Sequence, residues 1–145
     1  ANGVRFLPDT WFKNKKMLKG AVALEATRVK KLVDFSVALK FFFEMPIYDK
    51  QLLLGEKLNE EDVLNNLGKI RDLLVKSNSE EPTTEEAVKI LSEVVRPDNR
   101  GEMLWPLRVA LSGQRVSPGP YEIISVLGKF EAIQRIELAI KKLSA

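Results

Sequence analysis

The run Pro106-Leu107-Arg108-Val109-Ala110-Leu111-Ser112-Gly113 holds one cation, Arg108, in an otherwise apolar helix end. It leads directly into the turn Gln114-Arg115-Val116-Ser117-Pro118-Gly119-Pro120. A guanidinium so placed is a planar donor fork that can grip a base edge or a phosphate through paired hydrogen bonds. Ser117 reads as an N-cap with Pro118 at the first helical position, the favoured pairing. A turn stiffened by two prolines loses little entropy on binding, and it can offer free amides and a proline face to an unstacked base. Each feature also has a plainer account. Arg108, flanked on its helix by Leu104, Leu107 and Leu111, can simply snorkel to solvent, and the turn can be a rigid connector. Arg28 follows a segment, Ala21 to Thr27, whose only charge is Glu25, and it can read a base or pair with Asp34. Trp11 and Trp105 fill cores more often than they stack on bases.

Catalytic chemistry has no footing here. With 0 His and 0 Cys the chain lacks the usual general base, the thiol nucleophile and most metal ligands. The paired carboxylates Glu60-Glu61-Asp62 and Glu80-Glu81 fall at helix starts, where acids favour the macrodipole. No glycine loop of phosphate-cradling pattern is present, and Ser112 and Ser117 have no histidine to activate them. The expectation is no catalytic residue, no metal site and no cofactor within these 145 residues.

The composition, 45% hydrophobic and 30% charged, suffices for one domain or two small packed units. The absence of cysteine removes a disulfide framework, and no apolar run nears the roughly 20 residues that span a bilayer. No signal-peptide pattern opens the chain, and Ala1 reads as the cut end of a larger, intracellular protein. The net charge of +3 is modest, but it is unevenly spread. Residues 1–50 carry +5, residues 51–99 carry −5 and residues 100–145 carry +3. Basic ends flanking an acidic middle suit a two-part cradle for a polyanion.

The elements that must position these residues are helical nearly throughout. Leu18, Val22, Val29, Leu32, Val33 and Val37 recur at helical steps, with a kink expected at Thr27-Arg28 and an end at Pro46. Phe41-Phe42-Phe43 spreads so widely around a helix that one ring is expected to dock elsewhere. Asn59 with Asp62 caps a helix whose buried stripe is Val63, Leu67, Ile70 and Leu74. Thr83 with Glu86 is a capping box for a helix carrying Ala87, Ile90, Leu91, Val94 and Val95 as far as Pro97. Asn99 with Glu102 is expected to cap the helix of Trp105 and Arg108, which Pro106 should kink and Gly113 should stop. Gly128 separates the next helix from the last, with stripe Phe130, Ile133, Ile136, Ile140 and Leu143. No segment alternates with period two, so the chain is all-α with about seven helices. Two packed subdomains are expected, residues 1–52 and 53–145.

The run from Trp105 to Leu143, with Arg108, Ser117-Pro118-Gly119 and Leu127-Gly128-Lys129, closely resembles the C-terminal anticodon-binding region of bacterial glutamyl-tRNA synthetases. A weaker echo lies in Arg28-Val29-Lys30-Lys31-Leu32 and in the phenylalanines before Pro46. The resemblance implies two all-α subdomains forming a curved cage around the anticodon loop of glutamate tRNA. It places Arg28 on the third anticodon base and Arg108 on a base as well. It places Ser117, Pro118, Gly119 and Pro120 where the turn meets the first and second. Pro120 stands where the family often has leucine, and Ser112 where threonine is common. Lys13, Lys15, Lys16, Lys19, Lys30, Lys31 and Arg115 would add nonspecific attraction to the tRNA backbone. The parent enzyme, a cytoplasmic monomer without membrane association, would use ATP and Mg in an N-terminal catalytic domain. The competing expectation is a protein-interaction module that docks a partner through Phe41–Phe43 and Trp11.

Overall fold

Helical periodicity governs the computed structural model, which describes residues 8–26 and 32–145. Those residues form eight α-helices, one 3-10 helix and no strand. The excess over about seven comes from one short turn of helix. Two compact units part between Met45 and Pro46.

The first unit holds the 3-10 helix Asp9–Lys13, α1 (Lys15–Glu25) and α2 (Leu32–Phe43). Asn14 opens α1 by accepting the Met17 amide on its side chain at 3.0 Å. Trp11 is buried, and its ring stacks on Phe43 with centroids 4.7 Å apart. Phe41 and Phe42 are buried too, with centroids 4.0 Å apart. The expected aromatic docking surface is therefore absent: these rings are spent on packing rather than shown to a partner. The expected kink at Thr27-Arg28, and Val29 beside it, lie outside the described residues, as do the side chains of Leu32, Val33 and Val37.

The second unit holds α3 (Gln51–Leu54), α4 (Glu60–Lys76), α5 (Thr84–Leu91), α6 (Arg100–Ser112), α7 (Pro120–Leu127) and α8 (Lys129–Ser144). The expected cut after Leu52 would divide α3. That helix packs on α6, where Trp105 Nε1 donates to the Leu52 carbonyl at 2.9 Å, so the second unit takes in residues from Pro46 onward. Tyr48 is held there as well. The Lys142 ammonium lies 4.6 Å from its ring centroid and donates to its carbonyl at 3.0 Å. Burial pushes the Tyr48 phenol up to about 12.

Side-chain capping opens α1, α4 and α5. The Asn59 side chain accepts the Asp62 amide at 2.8 Å, and Val63, Leu67, Ile70 and Leu74 are all buried, as their spacing requires. Thr83 and Glu86 close their capping box in both directions. Asn99 departs from expectation: its side chain accepts the Arg96 amide and donates to the Val94 carbonyl instead of capping α6. That clasp, together with Pro97, ends α5 at Leu91 rather than carrying it to Pro97.

α6 is the central helix, packed against α3, α4, α7 and α8 and buried around most of its circumference. It continues through Pro106, which can give the Glu102 carbonyl no amide. Its C-terminus is tied four ways. The Gly113 amide donates to Val109 O at 2.7 Å, with Gly113 left-handed at φ 68°. Ser112 Oγ donates to Arg108 O at 2.8 Å and accepts the Gln114 amide at 3.1 Å. From α8, an Arg135 guanidinium NH donates to Leu111 O at 2.6 Å.

Arg135 is a surprise of the fold. Only 1% exposed, it takes a core position in α8 beside Ala132, Ile136, Ala139 and Leu143. Its Nε donates to Glu131 Oε1 at 3.1 Å. Burial pulls the guanidinium below its usual range, while the Glu131 hydrogen bond and charge oppose that shift. The expected stripe led by Phe130 is rotated: Phe130 is 75% exposed. The Lys129 amide bonds Glu80 O at 2.9 Å and its ammonium bonds Ser77 O at 2.8 Å, which sets α8 with the Arg135 face inward.

Two stability predictions follow from this junction. A Cβ on Gly113 would lie 2.6 Å from Pro46 Cβ, on backbone already left-handed. Gly113→Ala should therefore cost about 2–4 kcal/mol in urea unfolding. Arg135→Met leaves the Leu111 carbonyl and Glu131 unmatched, and should cost about 2–4 kcal/mol. A loss below about 0.5 kcal/mol in the Arg135 variant would mean that water serves the Leu111 carbonyl equally well.

Candidate nucleic-acid interface

Arg108 sits one helical turn before the corner at Gly113, on a helix face where residues three and four apart are neighbours. It is half-buried, and its own carbonyl is held by Ser112 Oγ. Among the described residues nothing pairs with its guanidinium. Arg135, by contrast, donates to the Leu111 carbonyl and to Glu131. In sequence Arg108 lies among aliphatic residues, whereas Arg135 has Glu131, Gln134 and Glu137 close by. The structure leaves one available and makes the other a strut.

The corner itself differs from its expected form. Ser117 does not cap α7; its hydroxyl donates to Pro118 O at 2.9 Å. The helix starts two residues later, with Gly119 as N-cap and Pro120 at the first position. The proline rule holds, but it is Pro120 that satisfies it, because Pro120 keeps Gly119 extended (φ −62°, ψ 147°) and so bars a helix that starts at Pro118. Gly119 has no side chain to cap the first turn, so the amides there receive no side-chain acceptor. Pro118 and Pro120 are both buried, while Ser117 and Gly119 are half-buried. The prolines brace the corner from within and do not present their faces outward. The surface of the turn is made by exposed Arg115 and by Val116, which is 71% exposed.

In the first unit Lys13, Lys15, Lys16 and Lys19 are all exposed along the 3-10 helix and α1. Arg28, Lys30 and Lys31 lie outside the described residues. The structure thus gathers Arg108, Arg115 and the Ser117–Pro120 corner in the second unit, and a lysine row in the first. Among the described residues no group of three or more acidic, His or Cys side chains is arranged to hold a metal ion. None of the described helices is long and apolar enough to cross a membrane.

One feature beside the corner escapes sequence reasoning. Trp105 is half-exposed rather than sealed in a core, and it lines two adjoining clefts that also share Gly55, Glu56 and Arg115. Gly55, which packs against its ring, lies 50 positions away. No local pattern announces that meeting.

The profile of the anticodon binding domain family matches residues 4–140. A glutamate–tRNA ligase of Lachnoclostridium phytofermentans is 36% identical over 134 residues, covering 88% of this chain and 27% of that protein. Its counterpart from Clostridium kluyveri is 34% identical over 137 residues, covering 90% of this chain and again 27% of the relative. The chain thus spans about a quarter of the length of these relatives. In fold it is similar to the crystal structure of a glutamate tRNA ligase from Elizabethkingia meningosepticum in complex with its amino acid. The TM-score is 0.72 at 24% identity, over 90% of this chain and 25% of that one. With residues 4–140 matched by that profile, the chain belongs to the anticodon-binding domain family.

Proposed function

We propose that this chain reads the anticodon loop of glutamate tRNA on behalf of a glutamate–tRNA ligase. The observation that carries the reading is the Arg108 guanidinium, without a partner among the described residues and held one turn before a corner that four hydrogen bonds fix. Single-stranded loops expose Watson–Crick edges that an A-form stem conceals, so donor forks discriminate bases there. Arg108 supplies such a fork, and Arg28 a second. The Ser117–Pro120 corner supplies shape and first-turn amides, with Val116 as its apolar tip. Lys13, Lys15, Lys16 and Lys19, with Lys30, Lys31 and Arg115, attract the phosphate backbone without regard to sequence.

The ligase reaction belongs to the parent protein. An N-terminal catalytic domain of the same chain, using ATP and Mg, charges the tRNA in a cytoplasmic monomer. Engagement of the anticodon contributes remote binding energy that helps place the acceptor end in that domain.

Titration of this chain with a matched anticodon stem-loop, and with the same loop altered at one base at a time, tests the reading. Arg108→Ala should cost about 1–3 kcal/mol on the matched loop and flatten discrimination at one base. Lys15→Ala should weaken matched and altered loops equally and lower the salt slope by about 1. Equal affinity of the unaltered chain for all loops would refute the assignment.

A further inference from the structure

We infer that Arg135 is a positioning residue for base discrimination: from within the core, and without touching tRNA, it sets where the Ser117–Pro120 corner stands relative to Arg108. The inference deepens the anticodon-loop reading above and rests on it. Among the described residues Arg135 is the one buried cation, 1% exposed in the apolar face of α8. Taking a guanidinium out of water is costly, and that face asks only for an aliphatic side chain, so packing does not account for arginine there. What arginine adds is two donors at a fixed angle in one rigid plane. Nε donates to Glu131 Oε1 at 3.1 Å, one turn back on the same helix, which orients that plane. A terminal NH then meets Leu111 O at 2.6 Å.

Leu111 is the junction that this bond holds. It follows Arg108 by three residues and precedes Gly113 by two, so it lies between the donor fork and the corner. The Ser112 hydroxyl, bonded to Arg108 O and to the Gln114 amide, shapes the last turn of α6 locally. Those ties do not say where that turn lies against α7. The chain leaves the corner into α7 at Pro120 and passes Gly128 into α8. The Arg135 bond then returns from α8 to the end of α6 and closes residues 111–135 into a ring. Both ends of the corner thereby belong to one closed frame. Apolar packing of α6 on α7 and α8 would survive without the bond, but it is non-directional and tolerates sliding. Recognition by a donor fork and a shaped corner needs their separation held within about 0.5 Å. Attraction of lysines to phosphate barely senses such a shift.

The test titrates the chain and its variants with the matched anticodon stem-loop and with loops altered at one base. The temperature is one at which circular dichroism shows each variant folded. Arg135→Met, which keeps an unbranched stem but neither donor, should lower the matched-to-altered affinity ratio by about three- to tenfold. The loss falls on the matched loop, while affinity for altered loops and the salt slope stay as they were. In an Arg108→Ala background the same substitution should change the ratio by less than about twofold, because the fork it positions is gone. Arg135→Lys, which can still donate to Leu111 O, should return the ratio toward that of the unaltered chain. Thr83→Ala weakens the α5 cap instead, and should lower thermal stability while leaving the ratio alone. If the Met variant does not fold, Glu131→Ala, which removes the brace at a partly exposed position, is read by the same criterion. A folded variant that keeps the full ratio, or that weakens matched and altered loops equally, would overturn the positioning role and leave the anticodon reading intact. An unaltered chain that binds all loops equally would overturn both.

Discussion

The hydrogen bond from the Arg135 guanidinium to the Leu111 carbonyl sets the geometry on which the second unit relies. The last carbonyls of any helix lack intrahelical donors, and at α6 this end is buried. Water cannot easily serve there, so α8 lends a cation, which the helix dipole also favours. Removing the charge from solvent is expensive, but Glu131 and Leu111 together compensate the guanidinium. Because the bond joins α8 to the end of α6, it fixes where the chain leaves α6. The corner from Gly113 to Gly119 starts from that point.

The same helix explains why Arg108 stays available. α6 is surrounded by four neighbours, and its apolar residues satisfy all of them. No acidic side chain is offered to Arg108 from those neighbours, whereas α8 provides Glu131 to Arg135 one turn away. A half-buried cation with no counter-ion among the described residues is a standing cost to the fold. Such a group gains more from an incoming anion or base edge than a fully hydrated lysine does, because part of its desolvation is already complete.

Much of this was legible in the sequence where the controlling interaction is local. The Asn59 cap, the Thr83–Glu86 box, the stripe from Val63 to Leu74 and the glycine stop at Gly113 each depend on residues within one or two turns. Legibility fails where distant partners decide. Asn99 was free to cap α6, but Val94 and Arg96 took its side chain. Phe130 matched the stripe by spacing, yet the clasp of Lys129 on Ser77 and Glu80 rotated it outward. Arg135 carries no sequence mark of burial, since its acceptor is a backbone carbonyl 24 residues away. At the candidate site, the placing of Arg108 ahead of the glycine stop and the stiffening of the turn by two prolines are local and legible. The outward face of that turn is not, because solvent exposure of Val116 and burial of Pro118 depend on how α7 seats against the core.

That division bears on how the corner would discriminate. A turn held by Gly113, Ser112 and two buried prolines has little conformational entropy left to lose, so binding energy at Arg108 is not spent on ordering it. The exposed lysines of the first unit are the opposite case: their attraction to phosphate is screened by salt. On the proposed reading, affinity would come mostly from those surface charges and selectivity from Arg108 and the corner. On the proposed reading, such a site would reject a wrong base because the backbone from which the Arg108 fork projects is fixed. A softer corner would let the fork follow the wrong base and forfeit the difference.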